Sequence, residues 1–416
     1  MLQLGKYSFG IGDRFAQEGI AQLRACFEAK FLGAEIVPVW NKSNREHMIV
    51  HTHPDSVRVE ARTAIMALGW TGPYHVDADH VGLKTVDSFI GASDFFTLDV
   101  ADFVGHAAPE TEIQAFVSRH SRYARGFTIP GIAQPISVSM QDVAAIAKKY
   151  LLAVKEAGAI FRHVQTKKGK AEFITEVSMD ETDLPQTPVE LFFILAAIAD
   201  EKIPAQTIAP KFTGRFNKGV DYVGNVPQFE KEFNDDLAVI AFAVKEFGLP
   251  ANLKLSVHSG SDKFSIYGPI ARAIKAHNAG VHVKTAGTTW LEEVAGLALS
   301  GGEALKMAQE IYDKAYSRIE DLCKPYAAVI DIDRAKLPDP QTVRGWTGEQ
   351  FSAALRHDQK NPAYNRSLRQ LIHVGFKVAA EMGPAYYDAL KTHADTIGRL
   401  VTENLLEKHI KPLFLS

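Results

Sequence analysis

Short apolar runs alternate along the chain with longer segments in which apolar residues recur at helical spacing. The short runs are rich in β-branched and aromatic residues and predict eight strands, near 7–11, 35–40, 74–80, 95–101, 171–177, 206–211, 253–258 and 280–285. Between most of them the 3.6-residue period predicts helices at 16–31, 54–69, 109–123, 187–201, 227–247, 265–277 and 287–299. This α/β alternation predicts a parallel sheet, and eight strands is the number that closes a TIM barrel. An open doubly wound sheet fits the same order of elements and remains the alternative.

Two further stretches modify this pattern. An insertion at 124–170, between the fourth and fifth strands, has a helical pattern near 141–157. Beyond about residue 300 the β signal ends, and helical patterns continue around a Pro-rich break at 337–340. We therefore predict a (β/α)8-type barrel at 1–300 with an inserted helical segment, and an appended C-terminal helical region at 301–416 packed on it.

Composition narrows the classes of partner. Lys and Arg number 46 against 49 Asp and Glu, a net charge of −3, and no basic block occurs, so nucleic acid is not expected as a partner. Only two cysteines, Cys26 and Cys323, are present, which excludes a disulfide framework and a thiolate zinc cluster. No apolar run is long enough to span a bilayer and the N-terminus lacks a signal-peptide pattern. We expect a cytoplasmic protein without a membrane partner.

Polar residues are concentrated where the third predicted strand ends. In a TIM barrel the active site lies at the C-terminal ends of the strands. There the sequence HVDADH places His75, Asp77 and Asp79 on one face, and His80 on the other face or the following loop. A polar network that only closes the barrel mouth would also fit. Two carboxylates and imidazoles so close favour a functional site, because they would repel or lose hydration without a cation.

Other strand ends add candidates of both charges. Glu176 lies near the end of the fifth strand, Lys211 ends the sixth, His258 ends the seventh, and His282 and Lys284 share a face of the eighth. A lone Glu also fits a surface strand exit, and His282 also fits a core histidine. Basic residues at a barrel mouth suit an anionic substrate, although loop Lys and Arg are usually only solvated.

A Ser-Gly-Ser-Asp turn after the seventh strand opens a helix. Free backbone N–H groups at such a turn can seat a carboxylate or phosphate, although Ser and Asp there are more often ordinary helix caps. With this turn included, the predicted substrate-binding residues are His80, Lys211, Ser259, Ser261 and Lys284.

The mixture of carboxylate oxygens and imidazole nitrogens indicates a metal centre. Such donors suit Zn, Ni, Mn, Co or Fe rather than a soft thiolate metal. About three protein ligands with an open position are typical of a catalytic divalent cation. We predict Asp79, His258 and His282 as the ligands, with His80 in reserve.

Four segments resemble the tagaturonate epimerase family: HVDADHVGLKT, FNKGVDYVGNV, SVHSGSDKFSIYGPI and GVHVKTAGTTWLEE. The resemblance extends from GIGDRF at 10–15 to the C-terminal helices. It implies a metal-dependent isomerase that interconverts tagaturonate and fructuronate in bacterial hexuronate breakdown, with a small-molecule sugar acid as partner and a homo-oligomer left open. It also implies an Asp base and a Glu acid, which at the matching positions are Asp77 as proton acceptor and Glu176 as proton donor.

The chemistry of these uronates limits the mechanism. They differ at C4 while the ketone is at C2, so the C4 hydrogen is not acidified by the carbonyl. Retro-aldol cleavage of C3–C4 is favoured over direct removal of a proton or hydride, because a metal can polarise the ketone. Weak activity on fructose or tagatose is compatible with this reaction. The alternatives are a metal-dependent aldolase or ketose epimerase acting on a neutral or phosphorylated sugar, and a non-catalytic sugar-acid binding protein.

Overall fold

Eight parallel strands form a closed barrel in chain order. The computed structural model describes residues 2–182, 184–258, 262–285 and 287–416. Closure is direct, because Tyr7 of the first strand pairs with Val281 of the last. The TIM-type α/β barrel is thereby confirmed and an open sheet is excluded. The strands are β1 (Tyr7–Ile11), β2 (Ile36–Ser43), β3 (His75–Val81), β4 (Phe95–Asp99), β5 (Ile174–Ser178), β6 (Thr207–Ala209), β7 (Lys254–His258) and β8 (Val281–Lys284).

Helices surround the barrel and make up its C-terminal extension. No helix in the described ranges is both long and apolar enough to cross a membrane. The helices are α1 (Gly19–Phe31), α2 (Asn44–Ile49), α3 (Asp55–Leu68), α4 (Glu110–Arg119), α5 (Met140–Lys168), α6 (Pro188–Asp200), α7 (Val226–Phe247), α8 (Phe264–Ala276), α9 (Thr288–Ser300), α10 (Gly302–Ser317), α11 (Ile319–Cys323), α12 (Pro340–Arg344), α13 (Gly348–Leu355), α14 (Arg366–Val374), α15 (Phe376–Glu381), α16 (Pro384–Thr392), α17 (Ala394–Glu403) and α18 (Lys411–Phe414), with a π-helix at Asn404–Ile410 before the last.

Local chemistry fixes where some of these helices begin. The Thr187 side chain accepts a hydrogen bond from the Glu190 backbone N–H, and the Glu190 carboxylate accepts one from the Thr187 backbone N–H, while Pro188 takes the first helical position of α6. The same reciprocal pair, formed by Thr347 and Gln350, starts α13. These caps supply partners to N–H groups that have none inside the helix.

The inserted segment carries a longer helix than its pattern predicts. Helix α5 extends over 29 residues and begins with a capping box between Ser139 and Asp142. Its buried face packs on β4 and α6, so α5 covers the barrel between β4 and β5. Helix α4 packs against α5 as an additional element.

The helices that follow α9 pack on α9, α1 and α8. Within the described ranges no strand follows β8. Trp290 of α9 is fully buried and its indole N–H donates to the carbonyl of Ile372 in α14 at 2.8 Å. The exact division of the chain into domains stays a prediction, because this contact layer is continuous with the core.

A buried carboxylate joins the extension to the loop after β7. Asp262 accepts hydrogen bonds from Arg369, and its oxygens lie 3.1 Å from His357 Nδ1 and 3.0 Å from His409 Nε2. All four side chains are buried. Burial alone would raise the pKa of Asp262, but the Arg369 guanidinium and the two imidazoles hold it well below its usual value.

Candidate active site

A pocket at the C-terminal ends of the strands receives a side chain from every strand or the loop that follows it. These residues are Arg14, Asn41, Asp79, Asp99, Asp180, Lys211, His258 and Lys284. Convergence at this end is what the barrel topology requires of groups that act together.

The ammonium of Lys284 lies at the floor of this pocket and holds three carboxylates together. Its Nζ is 2.7 Å from Asp77 Oδ2, 2.8 Å from Asp79 Oδ1 and 2.9 Å from Glu176 Oε1. The Thr97 hydroxyl lies 3.0 Å from Asp77 Oδ1 and 3.1 Å from Glu176 Oε1. Burial would lower the pKa of Lys284, but the carboxylates raise it well above its usual value. This ammonium therefore holds the acidic groups of β3 and β5 in one network.

The pKa values of Asp77 and Glu176 are shifted in opposite directions within this network. Burial raises the pKa of Asp77 to about 6, against the opposing effect of Lys284. Burial would also raise the pKa of Glu176, but Lys284 and His258 hold it well below its usual value. Both carboxylates are buried beneath Lys284 and do not line the pocket. Their roles as proton acceptor and donor stay predictions, and any exchange with a substrate has to pass through their neighbours.

His258 is held between two carboxylates. Its Nε2 is 2.8 Å from Glu176 Oε1 and its Nδ1 is 3.2 Å from Asp180 Oδ1. Burial would lower the pKa of His258, but the charges of Asp180 and Glu176 raise it to about 9. The high pKa means that positive charge at this position is strongly favoured.

His80 reaches the pocket through an irregularity in its strand. The pairing of β3 with β4 shifts register between Ala78 and Val81, and His80 has a left-handed φ of 51°. Simple alternation predicted His80 on the opposite face or in the loop; the irregularity instead lets it line the same pocket as Asp79. Its Nδ1 is 3.1 Å from Asp99 Oδ2, and its ring centroid is 5.0 Å from that of His258.

His80, Asp180 and His258 form the group of potential metal ligands that the described residues present. One potential ligand atom from each lies within 4.8 Å of the others. Asp79 is adjacent, with Oδ1 3.9 Å from His80 Nε2. Sequence reasoning missed Asp180, although alternation from Glu176 through Ser178 points to it two residues after β5 ends.

These residues fit a divalent cation. His258 Nδ1 is buried and makes no hydrogen bond in the described structure, although it faces Asp180. The other ring nitrogens contact carboxylates, His258 through Glu176 and His80 through Asp99. A carboxylate behind each imidazole is the usual way in which metal-binding histidines are oriented. Two imidazoles and a carboxylate with space for substrate match a catalytic rather than a structural site.

His282, the third predicted ligand, lies outside this group. Its Nδ1 is 2.9 Å from Ser8 Oγ, and its ring lies 5.4 Å from that of Phe95, inside the barrel. Burial lowers the pKa of His282 to about 3, which keeps it neutral. These contacts favour the core-histidine interpretation.

The remaining predicted substrate-binding residues have mixed outcomes. Lys211 lines the pocket, and its backbone N–H donates to Gln186 Oε1. Lys284 also lines it, but its ammonium already contacts the carboxylates described above. Ser259 and Ser261 lie outside the described residues. Arg14, Arg45 and Lys218 add further positive charge to the lining.

Comparisons with known proteins agree with one another. The profile of the tagaturonate epimerase family matches residues 1–413. A tagaturonate/fructuronate epimerase of Thermotoga maritima is 28% identical over 385 residues, which cover 89% of this chain and 72% of that protein. A glycerol complex of the fructuronate-tagaturonate epimerase of Cohnella laeviribosi has a TM-score of 0.81 at 22% identity, over 99% of this chain and 82% of the other. Its native crystal structure gives 0.79 at 21% identity. At this identity the structures show a shared fold.

Proposed function

The chain belongs to the tagaturonate epimerase family and is an isomerase, and from this premise we propose that it interconverts tagaturonate and fructuronate by inverting C4. The family match over residues 1–413 carries this proposal. The pocket supports it, because acidic residues, imidazoles and cationic side chains converge at one rim of the barrel. A sugar acid needs the cationic groups for its carboxylate and the acidic groups for its hydroxyl protons.

His80, Asp180 and His258 would hold a divalent cation, with Asp79 as a further carboxylate beside them. Of the predicted ligands, His258 is retained and His282 is replaced by Asp180. His80, the alternative ligand in the prediction, is now included. The donor atoms suit Zn, Ni, Mn, Co or Fe. When bound, such a cation supplies Lewis-acid polarisation of the C2 ketone.

The protein side chains handle the proton of the C4 hydroxyl. Removal of that proton lets the C3–C4 bond break, and its electron pair passes into an enediolate across C2 and C3. The aldehyde fragment then presents its other face, the bond forms again, and the C4 oxygen recovers a proton. We assign removal of this proton to Asp77 and its return to Glu176, with the proton passing between the two buried carboxylates through Lys284 and Thr97, which contact both. Lys284 also lines the pocket and so joins the buried pair to it.

Removal of the metal tests whether turnover depends on a divalent cation. We expect the enzyme treated with chelator to lose turnover of tagaturonate, and one of the five divalent ions to restore it. Asp180→Asn should lower both the bound metal and the turnover, whereas Asp388→Asn, an exposed acidic residue on α16, should change neither. Full turnover by metal-free protein would contradict the metal dependence.

Product analysis tests the reaction itself. Tagaturonate, tagatose and tagatose 6-phosphate are offered to the metal-replete enzyme, and we expect the uronate to react fastest. Preference for the phosphate or the neutral sugar would instead support the ketose epimerase or aldolase alternative. Retro-aldol cleavage keeps the C4 hydrogen on carbon, so turnover in D₂O should leave C4 unlabelled. Deuterium at C4 would show direct proton transfer.

A further inference from the structure

His373 of α14 is a buried imidazole that the acid–base network does not use. It is 1% exposed, it lines the active-site pocket, and neither ring nitrogen has a hydrogen-bond partner in the described structure. A buried polar group that is left without a hydrogen-bond partner destabilises the protein. A ring placed in this way beside a substrate pocket indicates that a ligand supplies the missing partner.

The ring is directed at the N-terminus of α9. Gly287, which precedes α9, has a φ of +94°, and a Cβ built on it would lie 2.4 Å from His373 Nε2 and 3.1 Å from Arg14 Nη2. Glycine is therefore required for this close approach. The N-terminus of α9 has no side-chain cap, and its first turn contains no acidic residue. Its backbone N–H groups and its positive dipole end thus lie beside the unpaired imidazole.

Cationic side chains surround the same place. Burial and the charges of Arg14, Lys218, Arg369 and Lys263 hold the pKa of His373 well below its usual value. Arg14 is paired with Glu46 at 3.1 Å. Arg369 is paired with Asp262, which also accepts the Thr288 hydroxyl. Lys218 lines the pocket and forms no ion pair with any described residue. The electrostatic field around the ring favours an anion.

We propose that His373, Lys218, Arg14 and the N-terminus of α9 form the subsite that binds the carboxylate of the sugar acid. This assignment rests on the proposed function and gives it a basis for selecting uronates over neutral ketoses. A carboxylate accepts hydrogen bonds from an imidazole N–H, an ammonium and backbone N–H groups together. None of these residues is among the predicted substrate-binding residues, and Lys284, which is, already contacts Asp77 and Asp79.

The appended helices therefore contribute to recognition. The loop that carries Lys218 is tied to α14, because Gln370 Nε2 donates to the Lys218 carbonyl and Arg369 donates to that of Gly219. Binding of the carboxylate would join elements of the barrel and of the C-terminal region around a single charge.

Substrate selectivity provides the first test. His373→Phe and Lys218→Met are assayed with tagaturonate and with tagatose, which lacks the carboxylate. We expect the KM for tagaturonate to rise at least 30-fold in either variant, while kcat/KM for tagatose falls less than threefold. His373→Gln, which retains a side-chain donor, should recover part of the loss. Lys391→Met removes an exposed lysine on α16 and serves as the control, with KM unchanged. If kcat/KM fell by the same factor for tagaturonate and for tagatose, the proposal would be overturned.

Binding of non-reacting probes separates this subsite from the reaction. Calorimetry on the metal-replete enzyme compares galactonate, galactitol and galactitol 6-phosphate, none of which carries the reactive ketone. We expect galactonate to bind more tightly than galactitol, and Lys218→Met to remove that difference while melting temperature and metal content stay at wild-type values. Tighter binding of the phosphate than of galactonate would assign the subsite to phosphate and overturn the carboxylate assignment. If wild-type enzyme prefers galactonate but epimerises no uronate, the subsite stands and the proposed function fails.

Discussion

Glu176 contacts both His258, a proposed metal ligand, and the ammonium of Lys284. Its Oε1 is 2.8 Å from His258 Nε2 and 2.9 Å from Lys284 Nζ, so one carboxylate orients a proposed metal ligand and neutralises the buried ammonium. Asp77 contacts Lys284 and Thr97, and no contact joins it to His258 in the described structure. The two acidic residues should therefore respond differently to loss of charge.

Glu176→Gln should nearly abolish turnover and weaken metal binding about 10- to 100-fold, because the imidazole loses the carboxylate that orients it. Asp77→Asn should also nearly abolish turnover but leave metal affinity within a factor of three. Steady-state rates and competition with a chelator measure the two effects. Unchanged metal affinity in Glu176→Gln would contradict its orienting role, and wild-type turnover in Asp77→Asn would remove it from proton transfer.

The sequence predicts which polar side chains gather at the C-terminal end of the barrel better than it predicts where each one points. Asp77, Asp79 and His258 were found from polar residues at strand ends, and the barrel brings them together. His282 shares the strand-end signal, but its depth inside the barrel makes it a core residue. Depth is set by the stagger of neighbouring strands, which a period-two pattern does not contain.

Helix α5 shows a similar limit at the scale of elements. Gly158 falls where a helix signal would stop, yet α5 continues to Lys168. A Cβ at Gly158 would meet only the mobile ends of Glu201 and Arg162, so the packing of α5 on α6, and not a need for glycine, carries the helix through this position. The strands were easier to predict, because apolar and β-branched runs are sufficient to mark them.

The cap of α13 offers a local test of stability. Thr347→Ala removes the side chain that accepts the Gln350 N–H, and we expect the free energy of unfolding to fall by about 1 kcal/mol. Thr347→Ser keeps the acceptor and should lose only a few tenths of that amount. Urea titration of the three proteins measures the difference, and equal stability would show that the cap contributes nothing.

Removing the buried carboxylate of Asp262 should lower the free energy of unfolding more than removing the α13 cap, and by an amount that depends on pH. Asp262→Asn leaves Arg369 buried without its counter-charge, and we expect a loss of about 3–5 kcal/mol at pH 7. The pKa of Asp262 is lowered by folding, so its stabilisation is complete above the unfolded value, about 3.9, and is lost as the pH falls further.

Urea titrations at pH 7, 4 and 3 check this sign. The difference in the free energy of unfolding between wild type and Asp262→Asn should become smaller only at the lowest pH. Asp321→Asn removes an exposed ion-paired carboxylate as the control and should change stability little. A constant gap across the three pH values would show that the charge of Asp262 is not the cause.

At the scale of the whole molecule, the barrel and the C-terminal helices share one core. Trp290 is buried against α14, and Asp262 is bonded to three segments of the extension. The fold class was predictable because eight strands alternate with helices. The extent of this shared core was not, because contacts between residues more than 80 positions apart leave no local pattern.

We expect the two regions to unfold together. Hydrogen exchange in graded urea should give peptides from α8 and from α14 the same midpoint, because separating them exposes the buried Asp262 and Arg369. Mass spectrometry of the exchanged peptides measures both in one sample. Earlier loss of protection in α14 would show that the extension is an independently folding unit.

Position 80 has to meet two requirements at once, a left-handed backbone conformation and an imidazole side chain that faces the proposed cation site. Glycine or asparagine would tolerate that conformation but would lack an imidazole, and most other side chains would be strained there as well as unable to bind a cation. Asp180 lies on ordinary loop backbone after β5, so its carboxylate can be exchanged without that strain. Efforts to alter the ion preference of the proposed cation site should therefore begin at Asp180, where the ligand can change while the main chain stays as it is.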